Sequence, residues 1–188
     1  MHLAARRGGL HVLGVYYRKL GAAAGVLTED FRVRALGETE LLACCADAEL
    51  ELRESMVRSG NTCIGAFSGD VLAGYAWFAY DDAPHVNGVR VRVPGHAIYR
   101  FKTFVRPAWR GRGIAPFLYG AADALVARPG RGYVVNCIAL QNAPSIAASL
   151  RSGDAPLGRL GYWQAGKRFL ALHSSGVEDF GLKFYSSR

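Results

Sequence analysis

Two hydrophobic periodicities alternate along the chain, one typical of strands and one typical of helices. Apolar and basic residues alternate at residues 31–36, and apolar runs rich in β-branched and aromatic residues recur further along. Residues 62–67 and 71–80 flank a glycine-containing turn, which predicts an antiparallel hairpin. The predicted strands are residues 31–36, 62–67, 71–80, 97–105, 132–140, 157–164 and 168–173.

Helical periodicity separates several of these strands. Residues 113–127 and 144–151 have the lengths of short helices, and residues 38–59 form one helix or two. Near the N-terminus, a further stripe at helical spacing predicts an amphipathic helix that contains Leu10, Leu13, Tyr17 and Leu20. This helix would cover part of the core, and contact with a membrane surface is the alternative.

The order of these elements predicts an α/β chain with a mixed sheet. The early hairpin has to be antiparallel, whereas the helix after residues 97–105 permits a parallel crossover. We expect residues 31–188 to form one domain and residues 1–30 to be a helical extension of it.

Composition restricts the classes of protein to which the chain can belong. With 188 residues, 51% apolar and 20% charged, it suits one globular domain with a core. A formal net charge of +8 predicts a surface that attracts anions, such as nucleic acid, CoA or an acidic carrier protein. No helix-turn-helix or RNA-binding aromatic motif is present, so we expect no nucleic-acid partner. No run of about 20 apolar residues is present either, so we expect no transmembrane segment.

The four cysteines give no sign of a metal site or a disulfide framework. No C-x-x-C pair is present, and no histidine lies at zinc-finger spacing from Cys44, Cys45, Cys63 or Cys137. We therefore expect no bound metal and a reduced, cytoplasmic setting. Cys137 has no histidine that the sequence assigns as its partner, so we interpret it as a structural cysteine.

One segment, residues 105–115 (VRPAWRGRGIA), carries most of the chemical information. An apolar strand runs into a glycine-rich turn, and that turn opens a helix. The free N–H groups at such a helix start converge on an anion, and glycines let a phosphate approach the backbone. Arg110 and Arg112 add positive charge. The P-loop lysine and the G-x-G-x-x-G pattern are both missing, which argues against nucleotide hydrolysis and dinucleotide binding.

This segment resembles the acyl-CoA signature of the GNAT superfamily of N-acyltransferases. The signature is Gln/Arg-x-x-Gly-x-Gly/Ala, and Arg110, Gly113 and Ala115 match its fixed positions. The resemblance covers residues 31–173 and implies acyl-CoA, most often acetyl-CoA, as co-substrate. It also implies a mostly antiparallel central sheet of about seven strands with helices on both faces. The sheet would split between its fourth and fifth strands, where the pantetheine arm of CoA lies.

The same resemblance implies roles for residues around the split. Phe104 and Val105 would offer backbone groups to the pantetheine and the thioester, and the Val105 N–H would stabilise the developing oxyanion. Asn142 would contact the cofactor arm, although it is equally suited to cap the next helix. The pyrophosphate would lie on the amides of Arg110, Gly111, Arg112, Gly113, Ile114 and Ala115.

The chain departs from the family pattern at the expected catalytic acid. Where relatives often carry a tyrosine that protonates the leaving thiolate, this chain has Ser149, whose hydroxyl is a weaker acid. Another residue could donate the proton instead, and the candidates are Tyr119, Tyr162 and Cys137. Water is a second alternative, and departure of the thiolate without a proton donor is a third. The Gly-Phe pair that often follows is replaced by Gly153 and Asp154, which predicts an unusual loop.

The catalytic base departs from the pattern as well. Histone-type relatives have a glutamate where this chain has Tyr99, which is a poor base but would order a water or the amine. His96 precedes the same strand, and histidine often accepts protons near neutral pH. Asp81 and Asp82, at the end of a predicted strand, are candidates for binding a cationic amine.

We therefore predict an N-acyltransferase in which an amine attacks the thioester of acyl-CoA directly, without a covalent acyl-enzyme. The acceptor would be a small-molecule or peptide amine. One alternative is an acyltransferase that takes its acyl group from an acyl carrier protein. Another is a non-catalytic protein that binds acyl-CoA.

Overall fold

The computed structural model describes residues 9–22, 31–37, 40–41, 57, 60–86, 88–165 and 168–187. Its strands are β1 (Gly9–Lys19), β2 (Phe31–Ala35), β3 (Thr62–Ser68), β4 (Val71–Ala79), β5 (Asp82–Pro84), β6 (Val89–Arg92), β7 (Ala97–Val105), β8 (Tyr133–Ala139), β9 (Ala155–Ala165), β10 (Arg168–His173) and β11 (Lys183–Ser186). Its helices are α1 (Ile114–Val126), α2 (Ala143–Arg151) and α3 (Ser175–Phe180). The helix predicted at residues 38–59 lies almost entirely outside the described residues.

An eight-stranded sheet forms the centre of the molecule, in the order β10-β9-β1-β8-β7-β4-β3-β2. β7 and β8 run parallel, and the other neighbouring strands that the structure describes are antiparallel. Ile98 packs on one face with α1, whereas Tyr99 packs on the other face with α3 and a second sheet, β11-β6-β5. The predicted fold class, a mixed and mostly antiparallel sheet with helices on both faces, is confirmed.

The N-terminal helix predicted within residues 1–30 is wrong where the structure describes it. Residues 9–19 form strand β1, which lies between β8 and β9 and pairs antiparallel with both. A central strand is apolar on both faces, so its apolar residues also fit a helical period. Val15 and Tyr16, β-branched and aromatic, favour the strand. The division of the chain at residue 31 stays a prediction.

The other predicted strands and the helices predicted at residues 113–127 and 144–151 are confirmed, and their ends move by no more than two residues. The short helix α3 is not predicted. β7 and β10 begin and end where the pattern predicts. Three short strands that the pattern does not predict, β5, β6 and β11, form the second sheet. Strands of 3 or 4 residues are too short to show a period of two.

The pairing of β7 with β8 stops part-way along both strands. The last paired residues are Tyr99 and Val135, and beyond them the two strands no longer pair with each other. β7 also bulges against β4, because Tyr75 lies opposite Phe104 whereas Trp77 lies opposite Phe101. The predicted split in the sheet is therefore present between β7 and β8.

Candidate active site

A cavity of about 500 Å³ opens where β7 and β8 part. Tyr119 and Ser145 line it from the side of α1 and α2. His85 and Tyr162 line it from the opposite face of the sheet, together with His11 of β1. The cavity therefore passes through the sheet and joins its two faces.

The glycine-rich turn follows β7 and leads directly into α1. After a 3₁₀ turn at Pro107–Trp109, Gly111 and Gly113 both have left-handed backbone, with φ of 79° and 76°. Gly113 is the N-cap of α1, and no side chain within the described part of the chain caps this end. The first amides of α1 have no intrahelical acceptor, and the helix macrodipole adds positive potential there. This geometry is that of an anion site.

The two arginines of the turn are exposed and lie beside aromatic rings. Arg110 Nε donates a hydrogen bond to the Val105 carbonyl at 3.1 Å, and its guanidinium lies 5.7 Å from the Phe104 ring. The Arg112 guanidinium lies 5.0 Å from the Trp109 ring. Such ring contacts are weak compared with a charge-assisted hydrogen bond to a phosphate.

The predicted contacts for the cofactor arm lie along the same path. From β7, the cavity is lined by residues 99–103, and Phe104 and Val105 follow them toward the turn. Asn142 Oδ1 accepts a hydrogen bond from the Ser145 amide at 3.3 Å, so Asn142 caps α2 while it also lines the cavity. The cap is confirmed, and contact with a cofactor stays a prediction.

A sequence profile of the acetyltransferase (GNAT) family matches residues 28–153, a span that includes β7, the glycine-rich turn and α2. The chain belongs to the GNAT acetyltransferase family. The family predicted from the glycine-rich signature is thus confirmed. No curated protein sequence matches the chain significantly.

Solved structures of GNAT proteins share this fold. A GCN5-related N-acetyltransferase from Kribbella flavida is 10% identical with a TM-score of 0.59, and the match covers 86% of this chain and 60% of that one. A GNAT-family acetyltransferase from Novosphingobium aromaticivorans is 18% identical with a TM-score of 0.54, covering 82% and 65%. AAC(6')-Iy, solved with the bisubstrate analogue CoA-S-monomethyl-acetylneamine, is 20% identical with a TM-score of 0.50, covering 66% and 90%. The chain spans less than two thirds of the first two proteins, and identities this low establish the fold alone.

Tyr99, at the position of the base in histone-type GNAT proteins, lies on the cavity wall. It is 1% exposed, and a hydrogen bond joins its hydroxyl to the Cys137 sulfur. Burial raises the pKa of Tyr99 well above its usual value, and burial raises the pKa of Cys137 to about 12 even though the bond to Tyr99 opposes this. Both groups are therefore protonated at neutral pH, so Tyr99 is a poor base and Cys137 a poor nucleophile.

His96 lies at the paired end of β7, away from the split. Its exposed ring packs edge-on against Phe180, with centroids 4.7 Å apart, and against Tyr133 at 5.9 Å. Within the described residues it is not part of the cavity wall. The structure does not bring His96 together with the other predicted site residues.

Ser149, at the position of the family's catalytic acid, is fully buried. Its hydroxyl donates to the Asp154 carboxylate, and its oxygen lies 3.3 Å from both Arg100 Nη2 and Asn136 Nδ2. Ser149 is therefore engaged in a polar network under the cavity.

This buried ion network joins β1, β7, β8, α1, α2 and the turn after α2. Arg18 binds Asp123 through two hydrogen bonds of 2.6 and 2.7 Å, and its Nε lies 3.2 Å from Asp154. Arg100 binds the other oxygen of Asp154 at 2.5 Å, and Asn136 donates to the same oxygen at 2.8 Å. The network contains two cations and two anions, so its charges balance. It also explains why an aspartate stands where relatives often have phenylalanine.

Sequence reasoning missed the histidines that line the cavity on the sheet face opposite α1. His85 follows β5, is partly buried, and makes edge contacts with Phe184 at 5.0 Å and Tyr162 at 5.7 Å. Burial, followed by the charges of Lys102 and His11, lowers the pKa of His85 to about 4. A lone histidine in a loop carries no sequence signal for this position, because β5 is too short to be predicted.

The two acidic residues considered for binding a cationic amine have other partners. Asp81 pairs with Arg131 at 2.6 Å. Asp82 pairs with Arg90 and accepts a hydrogen bond from the Tyr185 hydroxyl at 2.6 Å. Neither aspartate lies among the described residues that line the cavity.

The described residues also bear on membrane and metal binding. None of the helices among them is long and apolar enough to cross a membrane. In the same part of the chain, no cluster of three or more His, Cys, Asp or Glu side chains is placed to hold a metal ion. Cys137 is a free thiol, and Cys44 and Cys45 lie outside the described residues.

Proposed function

We propose that this GNAT domain is an N-acyltransferase that moves an acetyl or other acyl group from acyl-CoA to an amine. One observation carries the proposal. Strand β7 separates from β8 and opens a cavity through the sheet, and the glycine-rich turn that follows β7 has the geometry of an anion site at the start of α1. The donor would enter from the α1 face and the acceptor from the other. The two reactants would then meet inside the cavity, as direct attack requires.

The donor side has the features that CoA needs. The uncapped amides between Gly111 and Ala115 would hold the pyrophosphate, with Arg110 and Arg112 beside them. The pantetheine would continue along the backbone of Phe104 and Val105 into the split. In this arrangement the chain supplies mostly backbone groups, so the site depends on glycine and on helix geometry.

On the acceptor side, the amine nitrogen would attack the thioester carbon while the Val105 N–H stabilises the oxyanion. No acyl-enzyme is needed, and the protonated Cys137 is unsuited to form one. CoA would leave as a thiolate that has to gain a proton. Tyr162 is a poor acid for this step, because burial raises its pKa to about 12.

We assign the proton transfer to the thiolate to Tyr119. It lies on α1, on the donor side of the cavity, and it is 5% exposed. The Arg100 guanidinium lies 3.5 Å from the centroid of its ring, a cation–π contact that would hold the phenol in place. Tyr119 would therefore replace the tyrosine that relatives carry at the position of Ser149.

An acyl carrier protein is the alternative donor, and the net charge of +8 favours a partner that is acidic. A competition assay distinguishes the two donors, because an acyl carrier protein that delivers the acyl group would outcompete acetyl-CoA at equal concentration. We place the reaction in the cytoplasm, where the Cys137 thiol would stay reduced.

A thiol-release assay with acetyl-CoA and a panel of amines tests the proposal. We expect release of CoA that depends on the amine, together with formation of the amide. Tight CoA binding without turnover of any amine would instead support a non-catalytic acyl-CoA-binding protein.

A further inference from the structure

We propose that the acceptor is a weakly basic amine on an aromatic ring, and that His85 accepts its proton as it attacks the thioester. This inference rests on the acyltransferase function proposed above, and it adds a substrate class and a catalytic residue. Three features of the acceptor side carry it: the shape of the wall, the position of His85, and the charges around it.

Aromatic rings form the acceptor side of the cavity. The rings of His11 and Tyr162 are stacked, with centroids 4.7 Å apart and an angle of 16° between them. Tyr99 and Phe101 form a second stacked pair, at 5.6 Å and 13°. All four residues line the cavity. Flat walls of this kind favour a planar apolar group, which gains offset-stacked or edge contacts.

His85 lines the cavity beside Tyr162, and the centroids of the two rings are 5.7 Å apart. Edge contacts with Tyr162 and Phe184 fix the plane of its imidazole. Among the described side chains, none donates a hydrogen bond to the His85 ring, and the ring contributes to the cavity wall. A nitrogen lone pair is thus available to a group that enters from the acceptor side.

The low basicity of His85 favours an acceptor that is neutral before it reacts. Burial, followed by the charges of Lys102 from β7 and His11 from β1, lowers the pKa of His85 to about 4. The hydroxyls of Tyr99 and Tyr162 and the thiol of Cys137, which share this wall, are uncharged at neutral pH. An alkylammonium would be a weaker acid than protonated His85 by about six powers of ten. An aromatic amine is already neutral at pH 7 and gives up its proton more readily once it has attacked.

The reaction balances without a further reactant. The amine lone pair forms the C–N bond to the thioester carbon, and the carbonyl π electrons move to oxygen. The nitrogen loses one proton to His85, the carbonyl reforms, and the C–S bond breaks. The thiolate gains a proton from Tyr119, which is reprotonated through solvent, and His85 releases its own proton to solvent. The products are the N-acyl aromatic amine and CoA.

The test compares amines at pH 7 with acetyl-CoA as donor: aniline, 2-phenylethylamine and spermidine. We expect kcat/KM for aniline to exceed that for 2-phenylethylamine at least tenfold, with spermidine lower still. If either alkylamine is the better substrate, the acyltransferase proposal stands and this inference is overturned. If none of the three amines, nor any other in the wider panel, releases CoA, the acyltransferase proposal is overturned with it.

Two variants test His85 directly. His85→Gln keeps a polar side chain but removes the base, so we expect kcat with aniline to fall at least thirtyfold while CoA affinity is unchanged. His173→Gln, on the edge strand β10, is the matched control and should keep the parent rate. In the parent protein kcat should fall as the pH drops through about 4, because protonated His85 cannot accept a proton. The proposal is overturned if His85→Gln keeps both the rate and this acid limb.

Discussion

The glycine-rich turn and the buried ion network both depend on arginine, and they use it in opposite ways. Arg110 and Arg112 are exposed beside aromatic rings, at the start of a helix whose amides would bind the ligand. Arg18 and Arg100 are each 3% exposed and bind carboxylates. The turn is built from consecutive residues, whereas the network joins residues as far apart as Arg18 and Asp154, which are 136 positions from each other in the sequence. On the proposed function the exposed arginines would contact the ligand, whereas the buried ones link the elements that shape the cavity.

Breaking the network should have the largest effect on stability. Asp154→Ala removes the carboxylate that Arg100 and Arg18 share, and it leaves buried positive charge without compensation. We expect the free energy of unfolding in urea to fall by about 3–5 kcal/mol. Asp70→Ala, which breaks only the exposed pair with Arg32, is the control and should leave the midpoint unchanged. A loss below about 1 kcal/mol for Asp154→Ala would mean that the network does not support the fold.

Disrupting the turn should have the largest effect on the ligand instead. Gly113→Glu places a negative side chain at the start of α1 and should weaken CoA binding at least a hundredfold in calorimetry, with little loss of folding. Gly130→Glu is matched to it, since Gly130 also has positive φ, at 80°, and lies in the turn after α1. The two variants carry the same backbone strain and charge. Equal CoA affinities for them would show that the turn is not the anion site.

A smaller effect is expected from the arginines of the turn. Arg110→Gln removes one positive charge but leaves the amides in place, so CoA affinity should fall about three- to tenfold. The dependence of CoA binding on salt should become shallower as well. Arg128→Gln, an exposed arginine beyond α1, should change neither quantity. If Arg110→Gln leaves both the CoA affinity and its salt dependence unchanged, the Arg110 side chain does not contribute to binding and the backbone amides alone hold the ligand.

Ser149 stands at the position where relatives often have the catalytic acid, but its hydrogen bonds make it a member of the buried ion network. Ser149→Ala should lower the free energy of unfolding by about 1–3 kcal/mol, because Asp154 loses a hydrogen bond. The kcat should change less than threefold, since Ser149 is fully buried. A loss of kcat of about a hundredfold in folded protein would return Ser149 to a catalytic role.

The sequence predicts those parts of the molecule that depend on local patterns. β7 and β10 have the predicted ends because each is bounded by turn residues and shows strand periodicity along its length. The turn is predictable because its residues are consecutive. β1 was predicted as a helix, since only its neighbours β8 and β9 reveal that it is central.

Residues that function through distant partners could not be found in this way. Asp154 reads as a departure from the family pattern until Arg18, Arg100 and Asn136 surround it in the fold. His85 reads as a loop residue until β1, β7 and β9 bring His11, Lys102 and Tyr162 beside it. The sequence shows which chemical groups Asp154 and His85 carry. It does not show which distant residues surround them, and their interpretation depends on those residues.

Calorimetry with CoA and with pantetheine tests the central claim most directly. Both ligands carry the pantetheine arm, but only CoA carries the pyrophosphate that the start of α1 would bind. We predict that CoA binds at least thirtyfold more tightly than pantetheine, and that the difference shrinks as salt is added. Equal affinity for the two ligands would contradict the assignment of the glycine-rich turn as the pyrophosphate site.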